Sequence, residues 1–125
     1  MKLYIGGSSQ DIPRINHIME VLKGENYTIT HDWTQSFKEE VKDYEQAVRD
    51  DLAGIFSADM LILVFEKPLP YKGTHTELGL AIAWRKPVII LGKEADKNIF
   101  SRLENVSICY SLMDVIELIE ERRMG

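Results

Sequence analysis

Gly73-Thr74-His75-Thr76-Glu77-Leu78-Gly79-Leu80-Ala81-Ile82-Ala83 is followed closely by Lys86-Pro87-Val88-Ile89-Ile90-Leu91. The first stretch reads as a glycine-rich loop opening a small-residue helix over about 74 to 85. The second carries the chain through a proline into a short, wholly apolar strand. Just upstream, Met60-Leu61-Ile62-Leu63-Val64-Phe65 is an unbroken apolar run, the pattern of a strand covered on both faces. Pro68, Pro70 and Gly73 make residues 66–73 a loop. Strand, loop, helix and strand in that order form a βαβ unit and predict a parallel sheet. Glu77 then falls at a helix mouth on the carboxyl-end side of the sheet, the edge where open α/β sheets bind ligands.

The same alternation continues outward in both directions. Leu3-Tyr4-Ile5 is a short strand ending in Gly6-Gly7-Ser8-Ser9, and residues from about Asp11 to Lys23 place Ile12, Ile15, Ile18, Met19 and Leu22 at helical spacing. Tyr27 to Thr30 reads as the second strand. Ser36-x-x-Glu39 is a capping-box signature that predicts a long helix over 37–56 with Val41, Tyr44, Val48, Leu52 and Ile55-Phe56 on its apolar side. Val106-Ser107-Ile108-Cys109-Tyr110 supplies a fifth strand, and Ser111-x-x-Asp114 caps a last helix. The expected fold is a single α/β domain over 1–125, a three-layer sandwich with a five-stranded parallel sheet of the flavodoxin or Rossmann-like kind.

Composition narrows the function. The 125 residues suffice for one core and are few for two, and 45% apolar with 28% charged content is ordinary for a globular protein. A net charge of −5 with scattered basic residues argues against nucleic acid as a partner. No apolar run has the roughly 18 residues needed to cross a bilayer, and Met1-Lys2 leads directly into a strand pattern rather than a signal peptide. The single Cys109 cannot form an internal disulfide, which suits a reduced, cytoplasmic setting. No Cys/His cluster has metal-ligand spacing, so neither a metal nor another cofactor is expected.

In such a sheet the ends of strands one, three and four converge. That groups Tyr4, the Gly6-Gly7-Ser8-Ser9 loop, Asp59 at the start of strand three, the 66–73 loop and Glu77. A Tyr with two acids suits N-glycosidic bond cleavage: one carboxylate attacks an anomeric carbon, and a second polar group helps the leaving base take a proton. Each residue also has a structural reading. Thr74 and Glu77 fit a capping box, in which the Glu serves the helix end. Tyr4 fits a core position and Asp59 a turn cap. The glycine-serine loop fits an ordinary strand-to-helix turn as well as an anion site. Trp33 fits a base-stacking platform or a core edge. In His31-Asp32 the side chains of adjacent strand-end residues point apart. His75 is expected in solvent and His17 as a structural helix residue.

Lys2-Leu3-Tyr4-Ile5-Gly6-Gly7, Ala58-Asp59-Met60-Leu61-Ile62-Leu63 and Gly73-Thr74-x-x-Glu77-Leu78-Gly79-x-Ala81 with Lys86-Pro87-Val88 resemble the nucleoside 2-deoxyribosyltransferase superfamily. That superfamily also holds the 2'-deoxynucleoside 5'-phosphate N-hydrolases and CMP N-glycosidases. The resemblance implies that Glu77 is the nucleophile forming a glycosyl-enzyme intermediate, that Tyr4 orients it, and that Asp59 meets the sugar or the leaving base. It implies that Gly6, Gly7, Ser8 and Ser9 face the sugar, with Trp33, Tyr71, Lys72 and Gly73 completing the substrate site. It implies a nucleoside or nucleotide substrate and a homodimer or higher oligomer. Where relatives carry a base-contacting Asp or a phosphate-binding Ser, this chain has Tyr71 followed by Lys72. Its compactness favours water over a second base as the acceptor. The competing functions are a TIR-like NAD or ADP-ribose glycohydrolase and a non-catalytic nucleotide-binding or sensing module.

Overall fold

The computed structural model describes residues 1–38 and 43–124. Five strands, β1 (Lys2–Gly6), β2 (Thr28–Ile29), β3 (Met60–Val64), β4 (Val88–Leu91) and β5 (Val106–Cys109), form one sheet. All neighbours run parallel, in the order β2-β1-β3-β4-β5. The helices are α1 (Ile12–Gly24), a short α2 (Gln35–Lys38), α3 (Tyr44–Ser57), α4 (Lys72–Ala83) and α5 (Leu112–Met124). The expected α/β architecture is therefore present. Every residue of β3 and β4 is buried, because these central strands carry helices on both faces. Edge strand β2 contributes only two residues, although the Thr30 amide extends the ladder by donating to the Leu3 carbonyl at 2.9 Å.

Right-handed crossovers decide which helix lies where. The chain leaves β1 toward β2 and leaves β3 toward β4, so it winds in opposite directions from the two central neighbours. This is the switch point of a doubly wound sheet, and a crevice opens there beyond the carboxyl ends of β1 and β3. α3 packs on β1, and α4 packs on β3 and on α3. Gly54 lets α3 approach closely: a Cβ there would stand 2.7 Å from the His31 Cβ and 3.3 Å from the Tyr4 ring.

Two helices differ from their sequence-based expectation. The long helix over 37–56 does not run through: Asp43 is extended, with φ −121° and ψ 91°, and its carboxylate caps α3 by accepting from the Gln46 amide. Glu39 and Val41 of the expected capping box and apolar stripe lie outside the described residues. Tyr44, Val48 and Phe56 are exposed rather than inward, since Gly54 and Ile55 are the buried positions of α3. The second departure is the start of α4. It opens at Lys72, not Thr74, because the Tyr71 carbonyl already accepts the His75 amide at 2.8 Å. No helix among the described residues is long and apolar enough to cross a membrane.

Candidate active site

The crevice holds a cavity of about 470 Å³, a size suited to a small-molecule ligand. β1 supplies its floor through Tyr4, and the following turn supplies Gly7, Ser8 and Ser9. Ser8 is buried and shapes that turn by accepting the Gln10 amide at 3.1 Å. α4 contributes Gly73, Thr74, Thr76 and Glu77, with Tyr71 and Lys72 at its opening. Trp33 and, from α3, Asp51 and Leu52 complete the lining. Trp33 is held there by donating its indole N–H to the Ile5 carbonyl at 2.7 Å.

Glu77 sits in the second turn of α4, one turn deeper than the helix mouth foreseen for it. It does not cap the helix. The N-cap position belongs to Tyr71, and the Thr74 hydroxyl that a capping box needs has no partner at all. The residue is half-buried, with its solvent-facing part opening into the cavity, while protein atoms pack densely round the carboxyl group. That burial lifts its pKa from 4.5 to about 7; a hydrogen bond from Tyr4 opposes the rise and the negative charge of Asp51 adds to it. The helix dipole does little to offset this, because it acts within the first turn and Glu77 lies in the second. Gly6 makes room for the group: a Cβ there would stand 2.8 Å from Glu77 Oε1.

Tyr4 is both core and cavity floor, being 1% exposed overall with its hydroxyl hydrogen-bonded to Glu77. Burial first, then the neighbouring Glu77 and Asp51 charges, pushes the phenol well above its ordinary range, so it remains a proton donor.

Asp59 does not reach this cavity. It precedes β3 and therefore lies at the amino edge of the sheet, about 16 Å of strand from the carboxyl edge. There its carboxylate accepts the Lys2 amide at 2.8 Å while its own amide donates to the Lys2 carbonyl, pinning β1 to β3. The second acid of the cavity is Asp51, from α3, a residue the sequence did not single out. Its Oδ1 lies 3.2 Å from His31 Nε2. Partial burial raises its pKa, and the contact with His31 opposes the rise. The i, i+4 spacing of Asp51 from the buried Ile55 was the available signal, hidden beside the charged Arg49 and Asp50.

Other residues find separate partners. Asp32 turns away from His31 and accepts from the Thr34 amide and hydroxyl. His75 is half-buried, not in solvent as expected: its ring packs on Phe65 and Tyr71, and Nδ1 lies 2.9 Å from Asn98 Nδ2. Tyr71 is buried, with its hydroxyl donating to the Lys67 carbonyl and accepting the Lys67 amide. His17 is exposed on α1. Among the described residues, no group of three His, Cys, Asp or Glu side chains is arranged to hold a metal ion.

A half-buried carboxylate beside a tyrosine, lining a cavity at the switch point of a parallel sheet, defines a candidate small-molecule site. The chain matches the family model for nucleoside 2-deoxyribosyltransferases over residues 3–113, and it belongs to that family of glycosyl-transferring enzymes. A 2-deoxyribosyltransferase from Bacillus psychrosaccharolyticus shares its fold, with a TM-score of 0.76 at 18% identity over 92% of this chain and 90% of that one. A conserved protein from Enterococcus faecalis V583 gives 0.67 at 17% identity, over 98% of each chain. The CMP N-glycosidase BcmB of Clostridium botulinum gives 0.67 at 18% identity, over 96% of this chain and 98% of that one. Among curated proteins no relative matches the chain.

Proposed function

We propose that this protein cleaves the N-glycosidic bond of a nucleoside or nucleoside 5'-monophosphate, with Glu77 as nucleophile and water as the final acceptor. The observation that carries the reading is the Tyr4–Glu77 pair at the floor of the cavity. Ionised Glu77 attacks the anomeric carbon as positive charge develops there, and Tyr4 holds the carboxylate in its attacking orientation. The bond electrons leave with the base, which takes a proton from the protonated Asp51–His31 pair through Asp51, the member that lines the cavity. The same pair then accepts a proton from the water that opens the glycosyl ester at the anomeric carbon. Asp51 thereby takes the second-acid role foreseen for Asp59.

Trp33 and Asp51 line the part of the cavity assigned to the base, and Ser8, Ser9, Lys72 and Gly73 meet the sugar. Water is favoured as acceptor because Tyr71, its hydroxyl committed to the Lys67 backbone, walls the cavity with a ring rather than with a group that reads a second base. The exposed Tyr44, Val48 and Phe56 of α3 support a homodimer, and a reduced, cytoplasmic location suits the lone buried Cys109.

The test is chromatography of wild-type and Glu77→Gln protein incubated with ribo- and deoxyribonucleosides, their 5'-monophosphates and NAD, with and without a free acceptor base. Base release by wild type alone is expected. Nicotinamide release would instead support the TIR-like reading, and a new nucleoside would make the protein a transferase. Binding without product would leave a sensing module.

A further inference from the structure

Among the described residues that line the cavity, Thr74 carries the one buried side-chain oxygen without a hydrogen-bond partner. The residue is 1% exposed, it lines the cavity, and its Oγ1 is buried without any hydrogen-bond partner. Buried hydroxyls are rarely left so, because an unmet donor forfeits its hydration with nothing in return. A helical threonine ordinarily relieves this by donating to the carbonyl three or four residues back, and its side chain has two accessible rotamers for doing so. Thr74 does neither. It sits three residues before Glu77, so the two side chains share one face of α4, about 4.5 Å apart along its axis.

We propose that Thr74 is a specificity-determining residue whose hydroxyl turns into the cavity on binding and donates to an oxygen on the C5 side of the sugar. The placement follows from the two flanks of the cavity. Asp51 and Trp33 stand on the α3 side, where the base departs. With the anomeric carbon at Glu77, the far side of the sugar lies toward the amino end of α4, which lines the cavity with Lys72 and Thr74. A rotation about χ1 carries Oγ1 to another staggered position without moving the helix. The oxygen taken is a 5'-hydroxyl or a 5'-phosphate oxygen, and in the second case the exposed Lys72 and the positive end of α4 add their attraction. This inference rests on the reading of the cavity as a nucleoside or nucleotide site.

The experiment is calorimetric titration of the full chain carrying Glu77→Gln, alone and combined with Thr74→Val or Thr74→Ser. The ligands are purine and pyrimidine nucleosides, their 5'-monophosphates and their 5'-deoxy analogues. Thr74→Val keeps the shape and removes the hydroxyl; Thr74→Ala is the second deletion should the valine variant fold poorly. Affinity is expected to fall roughly 2- to 10-fold for nucleosides if the partner is a hydroxyl, and roughly 10- to 100-fold for monophosphates if it is a phosphate oxygen. The 5'-deoxy analogues should bind all variants alike, and Thr74→Ser should restore affinity. The ligand-free Thr74→Val protein should melt a few degrees higher than its parent, since an unpaired hydroxyl is gone. Equal affinity of the valine and threonine forms for every ligand overturns the proposal. If wild type releases base and Thr74→Val does so with unchanged kcat/KM, only the role of Thr74 fails. If the threonine form binds none of these ligands, the proposed function falls with it.

Discussion

Asp51 and Asp59 stand on either side of the carboxyl end of α3, yet they serve opposite edges of the sheet. Asp59 follows the helix and opens β3, so it is spent on the backbone of its neighbour, accepting the Lys2 amide in an exposed position. Asp51 belongs to the helix itself and faces the cavity, half-buried, against His31 and within electrostatic reach of Glu77. One carboxylate is satisfied by fixed donors. The other is left in surroundings that disfavour its charge, which is the condition of a group available to exchange protons. What separates them is not residue type but the direction in which a parallel strand is traversed.

The largest effect is expected at Glu77, which feels the charge of Asp51. Glu77→Gln should lower base release by about a thousandfold or more, with the fold unchanged by circular dichroism. The same variant should be more stable at high pH. Burial raises the Glu77 pKa from 4.5 to about 7, so ionisation opposes folding. Wild type therefore keeps its full stability below pH 4.5 and loses part of it as pH rises through about 7. Relative to wild type, urea unfolding at about pH 8 should show a gain on the order of 3 kcal/mol, absent at acid pH.

Next, Asp51→Asn should reduce kcat roughly a hundredfold or more, as expected for loss of a proton-transfer group. Asp59→Ala should leave kcat within about twofold and remove about 1 kcal/mol of stability. Steady-state kinetics and denaturation of the two variants side by side decide the matter; the reverse pattern would return the second acid to Asp59. Gly54→Ala should be destabilising by about 1–3 kcal/mol. The added methyl would press on the His31 Cβ at 2.7 Å and on the Tyr4 ring. Its activity should fall further than its stability suggests.

The smallest effects are in pH dependence. kcat/KM should rise with pH through about 7, as Glu77 ionises in the free enzyme. Tyr4→Phe removes the hydrogen bond that favours the carboxylate, so that limb should move to higher pH, with kcat reduced more than substrate affinity. Asp51→Asn removes a repelling charge, so the limb should move lower. A limb that stays fixed in both variants would detach Glu77 from the profile.

Periodicity made the sheet legible because its central strands, β3 and β4, are apolar without interruption and each is followed by a helix pattern. Glu77, Tyr4 and the Gly6–Ser9 turn were legible as a group because the ends of adjacent parallel strands must converge. The helix starts were less so. Thr74 looks like a cap, but hydrogen bonding begins at Tyr71, and the extended Asp43 starts α3 well inside its apolar pattern. Capping residues state where a helix can begin, and the backbone takes the start that tertiary packing allows.

What the sequence determined by itself was a parallel α/β sheet with one carboxylate and one tyrosine near a shared edge. Alternating apolar runs and helical stripes can be buried together in few other ways. Only the tertiary structure decided which second acid joins them, since that depends on which end of a strand a residue occupies and which way a helix is turned. It also decided that Glu77 holds its proton up to about pH 7. Desolvation is a property of everything packed around a group, and no stretch of neighbouring residues encodes it.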